Sequence, residues 1–159
     1  MNLNRMPMTI QGIKKLEEEK NKLKNVDRPE IIKAIAVARE LGDLSENTDY
    51  QAAREAQSFT EGRISEIEDI LSRVEPIDTS KIKSDKVMFG ASVELINLDN
   101  NKEEEYKIVG VHEANIENKL ISYDSPLGKL LISKKNGDVI EHVTAKNVKL
   151  FEIKNIKYI

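Results

Sequence analysis

Arg39-Glu40-Leu41-Gly42-Asp43-Leu44-Ser45-Glu46-Asn47-Thr48-Asp49-Tyr50-Gln51-Ala52-Ala53-Arg54 is the stretch where two long helical patterns meet head to head. Its centre, Gly42 to Asn47, reads as a short turn. Asp43 and Glu46 stand there three residues apart, with Leu41 and Leu44 beside them. Everything on either side reads as stalk holding this turn away from a second, β-rich body.

Before the turn, Ile13, Leu16, Leu23, Ile31, Ala34, Ile35 and Ala38 recur at three- and four-residue steps among charged residues. That is a narrow apolar stripe on an exposed helix. Met1 to Met8 reads as a loose lead-in, and Thr9 as a helix cap. Pro29 lacks an amide donor and predicts a kink or brief break. Asp27 is the candidate cap if the helix restarts there. After the turn, Tyr50, Ala53, Ala56 or Gln57, Thr60, Ile64, Ile67, Leu71 and Val74 repeat the period. Two such arms joined by a short turn make an antiparallel hairpin. Each arm of roughly 28 residues reaches about 42 Å at ~1.5 Å per residue. Small residues near the turn predict close approach of the arms, and larger ones further down predict splaying.

Pro76 ends the second arm. From Val87 to Leu95 the apolar period changes to two. Tyr106–Val111, Leu120–Tyr123, Val139–Val143 and Val148–Ile153 are further strand candidates. Ser125-Pro126 opens a short helix, and Leu98–Asn101 and Asn136-Gly137-Asp138 read as turns. The expected fold class is α+β. A helical coiled-coil hairpin over 1–78 precedes an antiparallel sheet domain with one short helix over 79–159.

Charged residues make up 33% of the 159 and aromatics 4%, which favours exposed helices over one large aromatic core. Residues 1–78 carry 12 Lys/Arg and 16 Asp/Glu, residues 79–159 carry 13 and 12. The net charge of −3 gives no bulk reason to bind nucleic acid, so any such contact is local. The absence of cysteine excludes disulfides and thiolate metal sites. No run of 18 apolar residues and no basic-then-apolar leader is present, so the chain reads as soluble and cytoplasmic, with no membrane contact.

Asp43 and Glu46 have capping-box spacing, and both would complement the positive end of the second helix. The alternative is that they aim oxygens at one hard cation. Mg²⁺ wants six oxygens, so two acids make only part of a site and a partner must supply the rest. Leu41 and Leu44 are either buried under the turn or a docking contact. Arg39 is placed for an i,i+4 pair with Asp43; with Arg54 it is otherwise a small basic patch suited to phosphates. Tyr50 is a wedge between helices or a stacking platform. His112 and His142 are isolated, and no phosphate-binding loop or catalytic triad is visible.

The run Ile35–Asn47, with Tyr50, Ala52–Glu55 and Glu61–Ile64, resembles the bacterial Gre transcript-cleavage factors, of the GreA type, over nearly the whole chain. Met8-Thr9, Gly12, Arg28-Pro29, Phe89–Ala91, Ile108–Gly110, Ser125-Pro126 and Gly137-Asp138 support it. The resemblance implies a coiled-coil finger and a C-terminal domain similar to an FKBP fold that docks on RNA polymerase. The finger would enter the polymerase's secondary channel. Asp43 and Glu46 would assist the second Mg²⁺ of the polymerase, which then cuts backtracked nascent RNA. Arg39 and Arg54 would face that RNA. Leu41, Leu44, Ser45, Asn47 and Tyr50 would dock the tip. The chain departs from the family pattern at Leu41, Thr48-Asp49, Lys129 and Ser133. The expectation is a monomeric factor with no cofactor or stable metal of its own, stimulating a partner's chemistry without being an enzyme. Two rivals are a channel-plugging adapter that needs the finger but not the acids, and a prolyl isomerase suggested only by the second half's fold.

Overall fold

The computed structural model describes residues 5–159. They form two compact units: Ile13–Val74, and the residues up to Gly12 together with Glu75–Ile159. The expected division at residue 78 grouped the first residues with the hairpin; the compact units group them with the sheet. Where a loose lead-in was expected as far as Met8, strand β1 spans Met6–Thr9 and is hydrogen-bonded to β2, Val74–Ile77.

The hairpin's first arm is helical from Ile10 to Arg39, in three pieces. Helix α1 spans Ile10–Lys22, a π turn Leu23–Asp27, and α2 Arg28–Arg39. Thr9 caps α1: its hydroxyl oxygen accepts from the Gly12 amide at 3.0 Å. The expected break at Pro29 takes the form of the π turn, in which the Arg28 amide donates to Leu23 O, five residues back. The wider turn makes room for a ring that has no donor, so the helix continues. Asp27 is therefore no cap. Its backbone is helical, and its carboxylate instead accepts from Lys22 Nζ at 3.3 Å.

The second arm, α3, runs unbroken over Thr48–Arg73. Leu16, Ile35 and Ala38 are buried on the first arm, and Ala53, Thr60, Ile64, Ile67 and Ile70 on the second. The stripe is the expected one, with two changes. Ile70 takes the inward place expected for Leu71, because a 3.6-residue period permits a step of three as readily as four. Ala34 is exposed rather than inward. Charged side chains bridge the arms. Arg28 donates to both oxygens of Glu61 at 2.7 and 2.8 Å, Arg63 donates to Glu19, and Lys24 lies 2.6 Å from Glu68. Such exposed pairs choose the register of the arms more than they add stability.

In the other unit, five strands are ordered β5-β4-β3-β7-β6: β3 Ala91–Asn97, β4 Glu103–Val109, β5 Leu120–Ser122, β6 Val139–Val143 and β7 Val148–Tyr158. The short helix α4, Pro126–Leu131, is capped by Ser125, whose hydroxyl accepts from the Gly128 amide at 3.0 Å. Val87, Val93, Leu95, Ile108, Leu131 and Ile153 are fully buried and form the core. The sheet is antiparallel except at one pair. β4 and β5 run parallel, because the connection 110–119 doubles back before re-entering the sheet. β3 begins at Ala91 rather than Val87, since Gly90 turns the chain at φ 89°. β4 begins earlier than expected. Glu103 and Glu105 fit a strand because they stand on the face away from the core, where Lys154 pairs with Glu103 and Lys157 with Glu105.

The β1 end is tied down by Glu113. Its carboxylate accepts from the Thr9 amide at 3.0 Å, the Gly110 amide at 2.8 Å and the Thr9 hydroxyl. Gly12 and Gly110 are needed here for close approach. A Cβ on Gly12 would run into Glu113, and one on Gly110 into the carbonyl of Pro7.

Candidate functional site

The closed end of the hairpin is built from Glu40 to Asn47. α2 stops at Arg39, and Gly42 then takes φ 125°, a value that favours glycine. Asn47 begins α3. Its Oδ1 accepts from the Tyr50 amide at 3.0 Å, while its Nδ2 donates to Ala38 O at 2.6 Å. One side chain thus satisfies a free amide of the second helix and a free carbonyl of the first. Gln51 adds a brace, donating to Ser45 O at 3.2 Å.

With Asn47 as the cap, Asp43 and Glu46 are not the two halves of a capping box. Asp43 folds onto its own turn: Oδ1 accepts from the Ser45 amide at 3.0 Å and from the Ser45 hydroxyl at 2.9 Å. These bonds, the amide first, hold its carboxyl below the usual aspartate range, so it stays charged in mildly acidic solution. Its Oδ2 has no protein donor among the described residues. Glu46 is exposed. Two carboxylates therefore face solvent at one end of a helical hairpin. Among the described residues no third His, Asp or Glu joins them in a cluster able to hold a metal ion.

Leu41 is 66% exposed and Leu44 40% exposed, so neither is buried under the turn. The Arg39–Asp43 ion pair does not form among the described residues. The Arg39 guanidinium lies over the Tyr50 ring instead, 5.9 Å from its centre, and Tyr50 is half-buried between the arms. Arg54 is exposed and donates to Gln57 at 2.8 Å. Arg39 and Arg54 thus enter separate contacts rather than one shared one. Three residues here escape a reading of the sequence: Gln51, whose brace has no sequence signature, Ala38, whose carbonyl is the anchor, and Phe59, which is 75% exposed on α3.

The sheet unit has its own concavity, whose lining includes Glu104, Tyr106, Ile121, Leu127, His142 and Phe151. Tyr106 donates to Glu104 at 3.0 Å, and burial first, then the Glu104 charge, pushes its phenol up to about 12. His112 takes no part in this concavity.

Comparison with known proteins covers both units. Residues 6–75 match the family model described as transcription elongation factor, N-terminal, and residues 82–158 the one described as transcription elongation factor, GreA/GreB, C-terminal. The chain is 49% identical over 156 residues to the transcription elongation factor GreA of Rhodospirillum rubrum, covering 98% of this chain and 99% of the relative. It is 50% identical over 158 residues to the GreA of Baumannia cicadellinicola, covering 99% and 100%. Among solved structures, the GreA factor homolog 1 protein of Thermus thermophilus aligns over 96% of this chain and 99% of its own, at 26% identity and a TM-score of 0.41. A hairpin with an acidic turn, a five-stranded sheet with one short helix, and near-full-length identity of this order lead to one assignment. The chain belongs to the GreA/GreB family of transcription elongation factors.

Proposed function

We propose that this factor binds RNA polymerase as a monomer in the cytoplasm, inserts its hairpin tip into the secondary channel, and stimulates the polymerase's own cleavage of backtracked nascent RNA. One observation carries this reading. Asp43 and Glu46 are both exposed in the turn, neither is consumed as a helix cap, and Asp43 keeps one carboxylate oxygen free. In the polymerase active centre, Mg²⁺ supplies Lewis-acid chemistry on the scissile phosphate. From this chain come two negative charges on a short, braced turn. They attract the cation and offer an acceptor for a proton leaving the attacking water. Two carboxylates leave most of an octahedral shell to other ligands, so the free factor holds no stable Mg²⁺ on this reading. Arg39 and Arg54, one and a few turns from the acids, supply positive charge for the RNA backbone. Leu41 and Leu44 offer apolar contact at the tip, with Ser45, Asn47 and Tyr50 shaping it.

The test is RNA cleavage by stalled polymerase, with the parent factor and with Asp43→Asn or Glu46→Gln. Each variant is expected to lower the maximal cleavage rate by roughly 100-fold or more, with binding to polymerase retained. Parent-like cleavage by both variants would sink the proposal. The exposed leucines favour one second reading, a plug that occupies the channel without chemistry. That reading gains if both variants inhibit polymerase as the parent does and neither parent nor variant promotes cleavage.

A further inference from the structure

Asp43 follows Gly42, so the acid is rooted beside the most pliant residue of the tip. An exposed aspartate in such a place has three staggered χ1 wells open to it. Two hydrogen bonds restrict that freedom. The Ser45 amide and the Ser45 hydroxyl both donate to Oδ1, at 3.0 and 2.9 Å. Ser45 is itself held, because its carbonyl accepts from Gln51 Nε2 at 3.2 Å. Gln51 stands in the first turn of α3, and its own amide donates to Asn47 O at 3.1 Å. A line of contacts therefore runs from α3 through Gln51 and Ser45 to Oδ1 of Asp43, and Oδ2 is the oxygen left over. The same brace reaches Glu46. The carbonyl that Gln51 holds belongs to the planar peptide joining Ser45 to Glu46, so the plane from which the Glu46 backbone starts is held as well.

We propose that Ser45 and Gln51 are positioning residues for the two tip acids: Gln51 ties the turn to α3, and Ser45 turns the Asp43 carboxylate so that one oxygen is occupied within the turn and the other is offered to the partner's cation. This rests on the polymerase reading above. Neither residue touches the reacting atoms. A charge that must meet a metal and a scissile phosphate loses a large factor in rate when it is misplaced by about 1 Å. Loosening the line of contacts therefore slows the chemistry and leaves docking alone, since the Ser45 hydroxyl and the Gln51 amide group are engaged inside the turn. A merely stabilising role predicts otherwise. Both residues are exposed, so their bonds add little to the stability of the hairpin, and their loss would leave the rate unchanged.

Stimulated RNA cleavage by stalled polymerase, followed over a range of factor concentrations, tests the proposal. Ser45→Ala and Gln51→Met are each expected to lower the maximal rate by roughly 10-fold, with the half-maximal concentration unchanged. Ser45→Thr keeps the hydroxyl and is expected to restore the rate. Adding Ser45→Ala to Asp43→Ala is expected to lower the rate no further, because Ser45 acts through Asp43. Three-bond NMR couplings across the Asp43 side chain report its rotamer in the free factor, with no polymerase present. One dominant rotamer is expected in the parent and a shift toward averaging in Ser45→Ala and Gln51→Met, with the helical signal unchanged. An averaged Asp43 in the parent, a saturated rate for Ser45→Ala equal to the parent's, or a loss confined to the half-maximal concentration overturns the proposal and leaves the polymerase reading standing. A parent that promotes no cleavage overturns that reading, and the proposal with it.

Discussion

Asp43 and Glu46 show how a spacing pattern underdetermines a role. An acid followed three residues later by Glu reads as a capping box, yet Asn47 takes the cap and leaves both acids to solvent. Asn47 wins because it has both an acceptor and a donor, and the junction has one free amide and one free carbonyl to satisfy. Aspartate in its place would keep the acceptor and lose the donor. The Ser45 bonds give Asp43 a measurable signature. Its carboxyl is expected to titrate below the ordinary aspartate value of 3.8 in carbon-detected NMR, and Ser45→Ala to raise the midpoint part of the way back, because the amide bond remains. The sign follows from linkage. A carboxylate held low contributes stability above its ordinary midpoint and loses it as pH falls through the depressed one. A midpoint at or above 3.8 in the parent contradicts the turn geometry.

The hairpin arms were legible as elements because their apolar period and their charge survive without tertiary help. What packing added is which member of the stripe carries weight. Ile67 is fully buried and Ile32 is 55% exposed, although both are isoleucines on helices of the same hairpin. Ile67→Ala is expected to destabilise the hairpin by about 2–5 kcal/mol through lost burial and a cavity, and Ile32→Ala by about 0.5 kcal/mol or less. Urea unfolding followed by the helical signal measures both, and equal losses would contradict the packing. The π turn before Pro29 is a further outcome that periodicity cannot foresee. A proline announces only that one bond is missing; whether the helix breaks, bends or widens depends on what the arm must stay aligned with, here the Glu61 and Glu68 partners of Arg28 and Lys24. The parallel β4–β5 pair was equally hidden, since alternation reveals strands but not their direction.

Across the whole molecule, the chain leaves the sheet unit after Gly12 and returns to it at Glu75. The first residues could be claimed for that unit only through long-range bonds, above all those that Glu113 accepts from Thr9, more than a hundred residues away in sequence. Glu113→Ala is expected to cost roughly 1–3 kcal/mol by leaving these amides without an acceptor, and to speed hydrogen exchange at Thr9 and Gly110. Unchanged protection there would show that the carboxylate holds nothing. The sequence by itself determined the α+β class, the two-armed hairpin with its acidic turn, and the family, because periodicity, turn residues and a long contiguous motif are local properties. Tertiary structure alone decided that the tip acids are exposed rather than capping, that Arg39 lies on Tyr50 rather than pairing with Asp43, and that strand β1, Met6–Thr9, belongs with the sheet unit. Those outcomes turn on which of several competing partners is within about 3 Å of a given donor or face, and distance in space is not written in spacing along the chain.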